Sequence, residues 1–367
     1  MSQGDLLHVV TDDDISDARR RFGHGIVWAS AALLAVVAAA QYAQTSDLED
    51  FGFQTWRPTL YAYILWAACL CWSKVLIHGE QGKRVLFVLP AALFVISLTV
   101  FPLLFGIIIA FSDWNLASPL GRQFNGLDNV RQMWADPFYW NALRNMVWYT
   151  LAILVEYVIA FGLALLLNAE IRARKFFRVA FLLPLMLSPV AVSWMIGKSM
   201  LEIRFGPIAR LARWLGWETP SFFGSPEIAR LTIMVLDAWT FIPFMMIMIL
   251  AGLQAIPKDL TEAARVDGAG PWNTFWEIVF PLMLPVSVTA ILIRIIFKLK
   301  LADIVINLTA GGPGGATDTV TSFIFREYRD RSNVGYGTLL AMVYLVIIIV
   351  FMTILMKLAE RFTGPRT

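Results

Sequence analysis

The chain has 367 residues, a formal net charge of +3, 58% hydrophobic residues and 16% charged residues. A soluble domain carries roughly 25% charged residues, so this composition excludes an ordinary soluble enzyme, a disordered chain and a basic nucleic-acid-binding surface. The two cysteines, Cys69 and Cys71, sit in one apolar run and point to nearly opposite faces of a helix, so neither a disulfide framework nor a metal site is expected.

A bilayer core asks for roughly 20 apolar residues per helix. Runs of that kind predict an all-α, multi-pass membrane protein with eight spans, near 26–43, 60–77, 86–111, 146–167, 176–198, 231–255, 280–299 and 336–357. The first run follows the acidic stretch Asp12, Asp13, Asp14 and leads into a second span, so it reads as a retained helix rather than a cleaved signal. The runs are continuous rather than alternating, which argues against a membrane barrel. An even number of spans puts both termini on one side. The short loop 168–178 carries Arg172, Arg174, Lys175 and Arg178, and the positive-inside bias places it and both termini in the cytoplasm. On the other side, segment 202–227 mixes Arg210, Arg213, Trp214 and Trp217 with prolines. That mix suits a helix at headgroup level, or an ordinary aromatic belt.

Catalytic constellations are missing from the sequence. His8, His24 and His78 are scattered, and no serine stands in a nucleophile elbow. Gly197-Lys198-Ser199 imitates the end of a phosphate-binding loop, but Val192 stands where the earlier glycine belongs, and the segment is a predicted span. No catalytic residue, metal or cofactor is expected, and ATP hydrolysis is not expected on this chain.

The intramembrane polar residues are Glu156, Asp237, Arg294 and Lys298. A charge at mid-bilayer costs roughly 2.5–3.5 kcal/mol on insertion scales, so such groups face the interior and mark a substrate path. Arg294, Lys298 and Leu301 are spaced i, i+4, i+7 and share a face of a continuous helix.

The loop 256–281 is predicted to fold as helix–turn–helix. Pro257 ends the preceding span, Asp259 and Glu262 resemble a capping box, and the helix runs to Asp267 before Gly268 stops it. Pro271 then opens a second helix. Ala263 and Ala264 let another surface approach closely, and Glu262 supplies a charge. Two readings stand at this point: a rigid knob for a groove on a soluble partner, or an amphipathic connector.

Glu262-Ala263-Ala264, Gly268, Ile278 and Pro281 together resemble the EAA loop of the permease subunits of binding-protein-dependent ABC importers. Further stretches are similar to the carbohydrate branch, in particular to the first permease of the maltose and glycerol-phosphate systems. They are Asn125–Asn129, Asn141–Asn145, Leu183-Pro184 with Pro189-Val190, and Leu308–Gly314. The resemblance covers roughly 85–360, with departures at Phe280 and Ala310, where leucine and glycine are commoner. It implies a permease core over 81–367 and two additional helices within 1–80. The implied partners are a second homologous permease, two ATPase subunits that bind the ATP, a periplasmic binding protein and a carbohydrate, in the bacterial inner membrane.

The same resemblance assigns ATPase coupling to Asp259, Glu262, Ala263, Ala264, Asp267 and Gly268. It carries the sugar-contacting positions onto Asp237, Thr240, Phe241, Phe244, Arg294, Lys298 and Leu301. Arg294 and Lys298 suit an anionic carbohydrate; alternatively Asp237 pairs with Arg294 and Lys298 snorkels to the interface. The Gly311–Gly315 turn is a candidate surface for the binding protein rather than an anion cradle. The competing function is a stand-alone ion-coupled carrier, which is expected to show two similar halves.

Overall fold

The computed structural model describes residues 16–45, 53, 55–169 and 172–363. His8 and the acidic stretch Asp12–Asp14 lie outside them. The described chain is almost entirely helical. Its only paired strands are β1 (Ser112–Asp113) and β2 (Gln123–Phe124), antiparallel with Ser112 opposite Phe124.

Two compact units divide the chain, Met1–Phe105 and Gly106–Thr367. In the first, α1 (Asp17–Thr45) is followed by α2 (Arg57–Ala110), which Gly79 breaks into the spans Arg57–Gly79 and Gly82–Ala110. Gly79 has φ 54°, a conformation that glycine takes without a Cβ clash. The Ser73 hydroxyl donates to Gly23 O at 2.9 Å and the Tyr63 hydroxyl to Leu93 O at 3.0 Å, tying these helices to one another.

In the second unit, the last residues of α2 and the β1–β2 pair are followed by the short helix α3 (Asp128–Ala135) and the span α4 (Pro137–Asn168). Pro137 opens α4 where its missing N–H is harmless, and the Asp136 side chain accepts from Phe138 N at 2.9 Å. The same device opens α8 (Pro226–Ala255), with Ser225 as cap and Pro226 at the first position. Between them lie α5 (Arg174–Met186), α6 (Pro189–Val192) continued by a π-helical stretch Ser193–Met200, and the short α7 (Pro207–Trp214). After α8 come α9 (Lys258–Val266) and α10 (Pro271–Thr274), which runs through a π turn Phe275–Val279 into α11 (Phe280–Leu299). The described residues close with α12 (Asp303–Leu308), α13 (Val320–Arg329) and the span α14 (Val334–Thr363).

Seven of the eight expected spans are unbroken helices long and apolar enough to cross a membrane. The fifth, expected near 176–198, is a pair, Arg174–Met186 and Pro189–Met200, bent by 96°. Leu187 and Ser188 are extended, Ser188 caps the new helix through Ala191 N, and Pro189 has no N–H with which to continue the old one. The run is apolar throughout, which hides the break from a hydropathy count.

In the second unit α4 lies along α8, and α11 packs against α8, α4 and α14. Tyr149, Ile153, Ile233, Met245, Met246 and Ile249 are fully buried between them. Lipid tails are as apolar as these side chains, so close packing and buried polar contacts, rather than escape from water, hold such helices together.

Candidate functional site

The centre of the second unit holds a charge quartet. Glu156 comes from α4, Asp237 from α8, and Arg294 and Lys298 from successive turns of α11; all four are fully buried. Arg294 Nε donates to Glu156 Oε2 at 2.6 Å and Nη2 to Oε1 at 3.3 Å, while Lys298 Nζ donates to Oε1 at 2.9 Å. Asp237 Oδ2 accepts from both Arg294 Nη2 and Lys298 Nζ. Two carboxylates face two cations, so the cluster is formally neutral, and each charge has the close partners that a buried charge requires. The expectation that Lys298 snorkels is therefore corrected. Its ammonium turns inward because two carboxylates wait there, and the alternative in which Asp237 alone pairs with Arg294 omitted Glu156.

An aromatic wall stands beside the quartet. The Phe241 ring lies 4.4 Å from the Arg294 guanidinium carbon, and Phe297 contacts Phe241 and Phe244 at centroid distances of 5.8 and 5.4 Å. Arg294 Nη1 is buried with no hydrogen-bond partner among the described residues. The structure thus brings together Asp237, Phe241, Phe244, Arg294 and Lys298 with Glu156, the fourth intramembrane charge expected on the path, and adds Phe297. Thr240 is buried on the same helix, but its hydroxyl turns back to Leu236 O at 2.9 Å. Leu301 is buried, yet α11 ends at Leu299, so the i+7 relation to Arg294 does not hold there. A signal for Phe297 was present, as an aromatic residue one position before Lys298.

The helix–turn–helix of the 256–281 loop is formed. α9 occupies Lys258–Val266, Asp267 is its C-cap, and Gly268 follows with φ 79°. Pro271 opens α10 at its first turn. The expected capping box is not: Pro257 holds the N-cap position with no side-chain bond, which places Asp259 already inside the helix. Asp259, Glu262, Ala263 and Asp267 are exposed, Val266 is 87% exposed, and Ala264 is buried against the chain's own surface. A helix with this outer face has room for a partner.

Beyond α12, residues 309–319 form an irregular segment carrying the Gly311–Gly315 turn. α4 supports it: Asn145 Nδ2 donates to Ala316 O at 2.9 Å and Asp318 O at 3.0 Å, and the Tyr149 hydroxyl to Thr317 O at 3.1 Å. Asp318 is buried, accepts from Ser322 Oγ at 3.0 Å and pairs with Arg326. Burial outweighs these partners and pushes its carboxyl up to about 6.

Comparisons with known proteins show the family and the fold. The model of the family described as binding-protein-dependent transport system inner membrane component matches residues 133–364. The sulfoquinovosyl glycerol transport system permease protein SmoG of Agrobacterium fabrum is 34% identical over 273 residues, covering 74% of this chain and 88% of that protein. The trehalose/maltose transport system permease protein MalF of Thermococcus litoralis is 31% identical, covering 65% of this chain and 81% of that protein. A crystal structure of a bacterial alginate ABC transporter, in complex with an alginate pentasaccharide-bound periplasmic protein, includes a chain of the same fold. The match has a TM-score of 0.67 at 20% identity and covers 85% of this chain and 99% of that one.

Proposed function

This chain belongs to the family of binding-protein-dependent transport system inner membrane components, and from that premise we propose that it is the permease subunit of an ATP-driven importer that translocates a carbohydrate across a bacterial inner membrane. Residues 81–367 form the permease core, and residues 1–80 add two spans. A second homologous permease completes the pathway, two ATPase subunits bind and hydrolyse ATP, and a periplasmic binding protein delivers the substrate. Both termini are cytoplasmic. The arginine-rich start of α5 and the α9 loop line one cavity, which puts the basic loop and the coupling loop on the same side.

The observation that carries this reading is α9, a short helix with a free outer face, joined directly to two membrane helices. Asp259, Glu262, Ala263, Asp267 and Gly268 form the contact with an ATPase subunit; Ala264, expected among them, is buried and seats α9 against the chain's own surface. ATP-driven movement of that subunit shifts the permease between states that bind the substrate differently, as any coupled carrier requires. The stand-alone carrier reading has no support in a family defined by dependence on a binding protein.

Within the pathway, Phe241 and Phe244 supply faces for a sugar ring, and the quartet supplies a fork for hydroxyl groups. Thr240 and Leu301, the other two expected positions, are buried. Relatives are named for both a sulfonated and a neutral glycoside. The formal neutrality of the quartet favours hydroxyl recognition, whereas the unpartnered Arg294 Nη1 favours an anionic group. Uptake of charged against neutral sugars by Lys298→Ala vesicles separates the two. Unchanged anionic uptake excludes Lys298 as an anion contact.

The test of coupling is to replace Glu262 and Gly268 together and reconstitute the full assembly. The expected result is normal membrane insertion with ATP hydrolysis no longer driving uptake. A variant that assembles and transports normally overturns the assignment.

A further inference from the structure

The ends of four membrane helices meet around a cavity of about 860 Å³, lined where α4 ends, α5 begins, α8 ends and α10 begins. Its charged lining is one-signed: Arg174 and Arg178 from α5, Lys258 and Arg265 from α9. No acidic side chain among the described residues lines it, and none of the four cations takes part in an ion pair among them. Arg174 Nε and Arg178 Nε are buried without a hydrogen-bond partner. Such donors are costly to leave unmade, and four like charges around one space repel unless an anion sits among them.

The rest of the wall is apolar: Leu165 of α4, Leu253 of α8, and Phe275 and Val279 of the π turn. Trp272 and Trp276, 71% and 46% exposed, stand on the same short stretch of chain, and such residues gather at the headgroup level of a bilayer. A wall that joins cationic groups to apolar ones matches the two ends of one amphiphile. A free anion would use only the first. Basic pockets between membrane helices are recurrent sites for acidic lipid headgroups.

The geometry points to a site for an anionic phospholipid, with its phosphate among Arg174, Arg178, Lys258 and Arg265 and its acyl chains along Leu165, Leu253 and Val279. α9 then works with two faces. Lys258, Thr261 and Arg265, spaced i, i+3, i+7, look into the cavity, while Asp259, Glu262 and Ala263 look outward. The lipid bridges α9 to α5 and forms part of the seat on which the outer face is presented. This assignment goes beyond the transport reading and stands without it.

Native mass spectrometry of the full chain in detergent, titrated in turn with phosphatidylglycerol, phosphatidylcholine and inorganic phosphate, tests it. Phosphatidylglycerol is expected to stay bound while phosphatidylcholine is lost, with millimolar phosphate failing to displace it. Each charge removed is expected to weaken retention about fivefold, so Arg174→Gln with Arg178→Gln weakens it ~25-fold. Lys258→Gln with Arg265→Gln does the same from the other wall, and it serves if the first pair fails to fold. Arg131→Gln with Arg329→Gln, exposed and away from the cavity, leaves retention unchanged. Equal retention of both lipids, full displacement by phosphate, or undiminished binding by a folded cavity variant overturns the proposal. So does cross-linking of the four positions to an acidic surface of an ATPase subunit with no lipid retained. None of these results touches the Glu262–Gly268 coupling test, so failure here and failure of the transport reading are distinguishable.

Discussion

Glu156→Gln is the most informative single change in the quartet. The carboxylate receives Arg294 Nε at 2.6 Å, Arg294 Nη2 at 3.3 Å and Lys298 Nζ at 2.9 Å. An amide keeps the shape but offers one acceptor oxygen, and its NH2 group meets a cationic donor. The cluster is left with an uncompensated positive charge in a fully buried site. Removing one partner of a buried ion pair costs about 3–5 kcal/mol, which for a unit of this size lowers the unfolding midpoint by roughly 6–20 °C. Lys298→Met alone leaves the opposite imbalance and a similar loss. Combining the two restores neutrality, with Asp237 and Arg294 as the remaining pair, so the double variant is expected to recover at least ~2 kcal/mol relative to the sum of the singles. The assay is the temperature at which the monodisperse peak of detergent-solubilised protein is lost, measured for parent, both singles and the double. A Glu156→Gln midpoint within about 2 °C of the parent, or a double variant equal to the sum of the singles, refutes the reasoning.

Gly268→Ala forces a side chain onto a residue with φ 79° and costs about 1 kcal/mol in the turn after α9. Faster amide exchange over residues 264–268 and slower uptake, with unaltered insertion, are expected. Asn145→Ala strands the buried carbonyl of Asp318 and the part-buried one of Ala316 and costs ~2–3 kcal/mol, read as faster proteolysis of the 311–318 segment. Asp318 titrates at about 6 against an ordinary value of 3.8, so the folded chain takes up its proton more readily than the unfolded one. Its contribution is largest in acid, declines as pH rises from about 4 to about 6 and is constant above, an amplitude of ~2–3 kcal/mol. Asp318→Asn is expected to flatten the midpoint-against-pH curve over that window, and a retained slope rules out Asp318 as its source.

Features set by local chemistry were legible in the sequence. The spans follow from unbroken apolar length, and the turn after α9 follows from Gly268 and Pro271, whose backbone preferences act within a few residues. The break in the fifth span was half-legible: Ser188-Pro189 is a helix-opening signature, but it sits in a stretch whose apolar character masked it. The capping box failed because Pro257 had already taken the cap position, a shift of two residues that pattern alone does not fix. Long-range pairings were not legible. Glu156 and Arg294 are 138 residues apart, and Asn145 and Ala316 are 171 apart. Period and propensity say that each polar group needs a partner, but the packing of α4, α8 and α11 decides which one.

That packing also relates α9 to the quartet. α9 is the link between α8, which carries Asp237, and the α10–α11 helix, which carries Arg294 and Lys298. At 1.5 Å per residue, Asp237 lies about 27 Å from the end of α8 and Arg294 about 35 Å from the start of α10, so a displacement of α9 would reach both through helices that leave the same link. Glu156 belongs to α4, which does not join that link. A displacement of α9 that carries α8 and α11 together preserves the Asp237 contacts and loads those of Glu156. One that parts α8 from α11 does the reverse. Glu156 and Asp237 are thus not equivalent carboxylates, although each touches the same two cations. Replacing each in turn and following uptake alongside stability tells which way the helices move: the substitution that alters transport beyond its effect on folding marks the contact that opens.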